Sequence, residues 1–174
     1  MIEQTATSIV VTDTVQAPSA ALFAVLADPR RHVEMDGSGM LRPGTDASPI
    51  TGAGQVFTMQ MHLASLGDYR TENHVVEFVD GRSIAWMTAR EGMPPAGVRW
   101  SWRLTPTDDR TTEVVHGYDW SRVTDPAVLA RVSFPRVSAQ AMQASVARVA
   151  RAAAAPRGER RPDRVEAHRD QPLG

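Results

Sequence analysis

Val98-Arg99-Trp100-Ser101-Trp102-Arg103-Leu104 is the stretch on which the fold turns, because apolar and polar residues alternate along it without a break. A period of two is what a strand needs to bury one face and wet the other. Working outward, the same signal recurs on both sides. After a turn at residues 107–110, residues 112–120 read as a further strand, and before the loop Met93-Pro94-Pro95-Ala96-Gly97 residues 84–89 read as another. Asp80-Gly81 is a hairpin signal that joins residues 69–79 to them. Earlier still, Phe57, Met59, Met61 and Leu63 face one way while Thr58, Gln60 and His62 face the other, with Leu66-Gly67-Asp68 as the turn that follows. Residues 55–120 thus form a strand-only block of hairpins, an antiparallel sheet with one apolar face that needs a cover.

The flanks supply that cover. Ile9-Val10-Val11-Thr12-Asp13-Thr14-Val15 is a β-branched strand, and Ala17-Pro18 opens a helix carrying Leu22, Phe23, Val25 and Leu26. Asp28-Pro29 stops that helix and caps a short second one over residues 30–34, before Asp36-Gly37-Ser38-Gly39 breaks helical order. At the other end, Asp125-Pro126 starts a helix that Phe134-Pro135 interrupts. A second start at Ser138 leads into Met142, Val146, Val149 and Ala153, one apolar stripe that closes over the sheet until Pro156. The fold class is therefore α+β, with one domain over residues 1–155. Residues 156–174 mix arginines and acids with almost no apolar residue and are expected to be a disordered tail.

Composition excludes several function classes. With 42% hydrophobic and 22% charged residues, the 174-residue chain has the balance of a soluble one-domain protein. A net charge of -1 leaves no basic footprint for nucleic acid. No apolar run is long enough for stable membrane insertion, and the acidic, short N-terminus is unlike a signal peptide. Zero cysteine removes disulfides, thiolate nucleophiles and cysteine metal sites, which agrees with a cytoplasmic location. All 19 basic residues are arginine, so Schiff-base and phosphate-loop lysine chemistry is absent too. The five histidines make no His-x-x-x-His or His-Glu-x-x-His pair, and Gly52-Ala53-Gly54 lacks the length of a dinucleotide loop. No metal and no cofactor is expected.

Ala17-Pro18 with Leu22-Phe23 and Leu26-Ala27-Asp28, Val75-Val76-Glu77-Phe78 leading to Ile84-Ala85-Trp86, and the last helix together resemble the START-like superfamily, also called SRPBCC or helix-grip proteins, in its polyketide cyclase/dehydrase branch. The likeness spans residues 8–155. Asp36-Gly37-Ser38-Gly39 and Tyr118-Asp119-Trp120-Ser121 are similar to a bacterial subgroup of unsettled function. The resemblance implies a curved seven-stranded antiparallel sheet wrapped around the long C-terminal helix, two short helices after the first strand, and an apolar cavity between sheet and helix. It does not imply one reaction, since carriers, receptors, cyclases, chaperone regulators and quinone-binding proteins share the fold.

Strand parity then names the cavity wall: Phe57, Met59, Met61, Trp86, Trp100 and Trp102, with Met142 and Val146 from the helix. Adaptable methionines and flat tryptophans suit a planar or greasy ligand. His116 and Tyr118, two apart on one strand, are the acid/base pair available to a cyclase or dehydratase, while parity turns Asp119 away from them. At the cavity mouth, Asp36 is expected to cap a turn and His32 to be exposed. His62 belongs to the polar face with Gln60, and Val75-Val76 leaves the face of His74 open. The leading expectation is a carrier or sensor of a small apolar molecule such as a lipid, quinone or polyketide, acting as monomer or homodimer. A cofactor-independent polyketide cyclase/dehydratase is the alternative, and a protein-interaction regulator the third.

Overall fold

The structure is a computed structural model and describes residues 1–155; the expected tail at 156–174 lies outside the described residues. Eight strands form a single antiparallel sheet, β1 (Ile2–Gln4), β2 (Ser8–Val15), β3 (Leu41–Arg42), β4 (Val56–Leu63), β5 (Gly67–Val79), β6 (Ser83–Arg90), β7 (Val98–Pro106) and β8 (Thr112–Asp119). Their spatial order is β1-β2-β8-β7-β6-β5-β4-β3. Four helices accompany them, α1 (Ser19–Leu26), α2 (His32–Met35), α3 (Pro126–Arg131) and α4 (Ala139–Ala154), with a 3-10 turn at Pro29–Arg31. This is the expected α+β helix-grip architecture, with eight strands where seven were expected. Six of the eight are the strands read from the residues; the other two, β1 and β3, are three and two residues long and sit at the two edges of the sheet.

The local chemistry of each boundary is visible. Asp28 accepts from the Arg30 amide and starts the 3-10 turn, Asp125 accepts from the Ala127 amide ahead of Pro126, and Ser138 accepts from the Ala141 amide at the start of α4. The turn after β4 falls at residues 64–66, so Gly67 and Asp68 are already paired with Leu63 and His62 in the next strand rather than forming the turn. Gly81, at φ +68°, supplies the left-handed residue that the β5–β6 hairpin needs. Between Val75 and Glu77 the ladder slips by one residue. That bulge at Val76 lets Val75 and Phe78 both face inward and leaves His74 on the outer face opposite Met87.

The concave face holds the core. Ile9, Val11, Leu22, Val25, Leu26, Ile84, Val114, Met142, Val146 and Val149 are entirely buried. Helix α4 packs against α1, α2 and β2, and its inner stripe ends on buried Ala152 rather than on half-buried Ala153, both of which follow Val149 at helical spacing.

Candidate functional site

Sheet register decides which side chains meet. Across the strands, Met61 stands opposite Tyr69, Met59 opposite Thr71, and Phe57 opposite Asn73, which in turn faces Thr88. The next row runs Trp86, Trp100, Tyr118, and the row beyond it Ile84, Trp102, His116. All point to the concave side. Together with α2, the β6–β7 loop, the segment around α3 and Met142 and Ser145 of α4, these rows enclose a hollow of about 1210 Å3.

Its aromatic lining falls into two groups. Trp100 lies flat on Tyr118 with centroids 4.1 Å apart and planes 5° from parallel, and Trp102 lies on the His116 ring at 3.6 Å and 11°. Trp120 and Phe134 extend this stack toward α3. Beside Trp100 in the same row, Trp86 stacks on the His32 ring at 5.3 Å, while Phe57 meets both edge-on. Adjacent strands in register place such rings at ladder spacing, so the stacking follows directly from the alternation.

The polar groups on this wall are few, and apart from the Trp102 indole N–H, which is buried without a partner among the described residues, they are specifically held. A ring nitrogen of His116, Nδ1, donates to the Ser101 carbonyl at 3.1 Å, which leaves Nε2 as the acceptor of a neutral imidazole. Burial holds its pKa down at about 4, against a smaller upward effect of that hydrogen bond. His32 is arranged alike: Nε2 donates to the Leu26 carbonyl at 2.8 Å, and burial lowers its pKa to about 4. Tyr118 is pushed up by burial, and its hydroxyl oxygen accepts from the Arg136 amide at 3.4 Å, which leaves the phenolic proton free to be donated. Thr71 and Asn73 are buried on the inner face of β5, with Thr88 Oγ1 bonded to Asn73 Oδ1 at 2.9 Å.

The Asp36-Gly37-Ser38-Gly39 loop is a clamp on α4. Asp36 accepts from the Ser38 amide and hydroxyl at 2.8 and 2.6 Å and from the Leu41 amide at 2.8 Å. Gly37 donates its amide to Ser145 Oγ at 2.9 Å, and a β-carbon there would stand 2.1 Å from the Ala141 carbonyl oxygen. Only glycine fits so close to the helix backbone.

Phe57, Met59, Met61, Trp86, Trp100, Trp102 and Met142 all stand on the wall of the hollow, as do His116 and Tyr118. Val146 does not; one helical turn beyond Met142 it is fully buried in the closed part of the core, and Ser145 takes the facing position. His32 also departs from expectation, since it is 2% exposed rather than open to solvent, because its ring fills the gap between the Leu26 carbonyl and Trp86. Asp36 caps its turn as expected. Asp119 accepts from the Ser121 amide at 2.7 Å, and His62 pairs with Asp68 at 2.6 Å, both away from the hollow. Among the described residues no cluster of three or more metal-ligating side chains occurs. Sequence reading passed over Tyr69, Thr71, Asn73 and Phe134. The first three could have been found by their register opposite Met61, Met59 and Phe57.

The model of the family described as "Polyketide cyclase / dehydrase and lipid transport" matches residues 6–154. A protein of Mycobacterium tuberculosis named Uncharacterized protein Rv0088 is 38% identical over 102 residues, covering 57% of this chain and 42% of that protein. The matched region thus spans less than half the length of that relative. Among solved structures, a protein from Arthrobacter aurescens superposes with a TM-score of 0.64 at 13% identity, over 97% of this chain and 98% of the other. Protein Ms6760 from Mycobacterium smegmatis does so with a TM-score of 0.62 at 14% identity, over 87% and 94%. At such identities these likenesses establish the fold alone.

Proposed function

The chain belongs to the polyketide cyclase / dehydrase and lipid transport family, and on that premise we propose that it is a cytoplasmic carrier or sensor that takes a small apolar, ring-bearing molecule into the hollow between sheet and α4. The family supports a ligand-binding protein of SRPBCC type, and among the described residues no helix is long and apolar enough to cross a membrane. The observation that carries the reading is the wall itself: a space of about 1210 Å3 faced by stacked tryptophans and methionines. Ligand sites of about 300 to 1,000 Å3 with few, well-placed polar groups are the usual case. Here those groups are neutral. His116 with a pKa of about 4 offers an acceptor, and Tyr118 offers a donor. A quinone or polyketide carbonyl is matched by the second, a hydroxyl by the first.

A cofactor-independent cyclase or dehydratase is the second reading, favoured by one feature. Tyr118 and His116 share a face, and the Tyr118 proton, uncommitted to any protein acceptor among the described residues, is placed to polarise a carbonyl. Against efficient base catalysis, an imidazole with a pKa of about 4 removes protons poorly near neutrality.

Native mass spectrometry of protein purified from its own host separates the two. The carrier reading expects an apolar compound to co-purify and to remain unchanged on incubation. Conversion of the compound, lost in Tyr118→Phe or His116→Ala, would establish the enzyme instead. Purification with an empty hollow that takes up no apolar probe would sink both.

A further inference from the structure

The hollow is apolar inside, but its rim is not neutral. Arg122, Arg131 and Arg136 all border it, and the ion pairs among the described residues involve none of them. The acids on the same rim are already engaged. Asp36 spends both oxygens on Ser38 and Leu41, Asp125 caps α3 through the Ala127 amide at 2.8 Å, and Glu91 is paired with Arg70 at 3.0 Å. Asp36 and Asp125 keep their charge, but with Arg90 also on the lining the arginines outnumber the acids left without an ion pair, so among the described residues the rim carries an excess of positive charge.

Arg136 is the central member of the set. Its amide donates to the Tyr118 hydroxyl, and its charge acts on the phenols of both Tyr118 and Tyr69, lowering pKa values that burial raises more strongly. Tyr69 on β5 and Tyr118 on β8 both line the hollow with β6 and β7 between them in the sheet, so the charge of Arg136 reaches two separate parts of the wall. Arg122 lines the same hollow, its backbone packed against the β6–β7 loop, where a β-carbon on Gly97 would stand 2.4 Å from the Arg122 carbonyl oxygen. Guanidinium groups recognise carboxylates by two parallel hydrogen bonds, and a low-dielectric wall beside them focuses their field.

Resting on the carrier reading above, we infer that the natural guest is an amphipathic acid, whose apolar body lies against Trp100 and Trp86 while its carboxylate stays at the rim on Arg136 and Arg122. The rim arginines then select among greasy molecules that the wall alone accepts indiscriminately.

The test uses N-phenylnaphthylamine, an uncharged fluorescent reporter of apolar sites, and two competitors with the same ten-carbon tail, decanoate and decanol. The inference expects the reporter to bind and decanoate to displace it roughly tenfold better than decanol, the size of one charge-assisted contact at a half-exposed site. In Arg136→Gln and in Arg122→Gln, each checked for folding by circular dichroism, the preference shrinks to about threefold or less while decanol is unaffected. Arg103→Gln, on the outer face of β7, leaves it intact. Added salt weakens decanoate alone. Equal displacement by both competitors, or a preference that survives both rim variants, overturns the inference and leaves the carrier reading standing. Failure of the reporter to bind at all overturns the carrier reading and the inference with it.

Discussion

The two halves of the concave face are built from the same strands and the same α4, yet one is full and the other hollow. Where α1 lies, Ile9, Val11, Leu22, Val25, Leu26, Val146 and Val149 are entirely buried. Where the short α2, the segment around α3 and loops lie, Met61, Tyr69 and Trp100 remain half-buried around about 1210 Å3 of space. The difference is one of reach. α1 has eight residues and α2 four, about 12 Å against 6 Å of helix. The hollow is thus not a defect of packing but the consequence of a second helix too short to fill its share of the sheet.

The two halves also differ in what they bury. Both buried histidines, His32 and His116, belong to the wall of the hollow, and none lies in the filled half. Each has a folded-state pKa of about 4, well below the ordinary value of 6.5. A depressed pKa contributes stability that is present above the unfolded value and is lost as pH falls toward the folded one. Between pH 7 and 5 the unfolded chain takes up protons that the folded chain refuses, so the pair should cost on the order of 4 kcal/mol together. Urea midpoints measured across that range should fall steeply in the parent protein and much less in the His32→Asn, His116→Asn double variant. A parent protein with a flat profile would mean that the wall is wetter than the filled half requires it to be.

The filled half should respond sharply to lost volume. Leu22 on α1 is fully buried in the core beneath α4, and Leu22→Ala should destabilise by about 3 kcal/mol, since neighbours so closely packed relax only partly into the space. Equilibrium urea unfolding, with an unchanged slope, measures it. A loss of less than about 1 kcal/mol would erase the contrast between the halves.

What was legible in the chain follows the same division. The alternation of residues 98–104 and its neighbours fixed strand identity and the inward face, because a period of two survives wherever one side is buried. Met142, Val149 and Leu22 were readable for the equivalent helical reason. The misses are where periodicity has no length to act on. Ile2–Gln4 is exposed throughout and Leu41–Arg42 is two residues long, so neither carries an alternation. His32 sits in a four-residue helix, and its burial depends on Trp86, more than fifty residues away in the chain. Thr71 and Asn73 are polar residues turned inward, which an inside-apolar rule assigns to the wrong face, and Val146 differs from Ser145 only by a rotation of α4 that its stripe does not resolve.

Trp100 tests the hollow half with the smallest expected loss of stability. A buried tryptophan truncated to alanine ordinarily costs about 3 to 5 kcal/mol, but Trp100 is only half-buried, lines the hollow and is held chiefly by its stack on Tyr118 at 4.1 Å. Its removal widens a void that already exists rather than creating one, and forfeits chiefly the ring stack, so Trp100→Ala should cost only about 1 to 2 kcal/mol. Reporter affinity should nevertheless fall roughly tenfold, because the lost area is what a flat guest would cover. The filled half offers no such separation, since there stability and packing are one quantity. A Trp100→Ala protein that loses as much stability as Leu22→Ala, yet retains the reporter unchanged, would show that the hollow is packed like its neighbour and that any guest sits elsewhere.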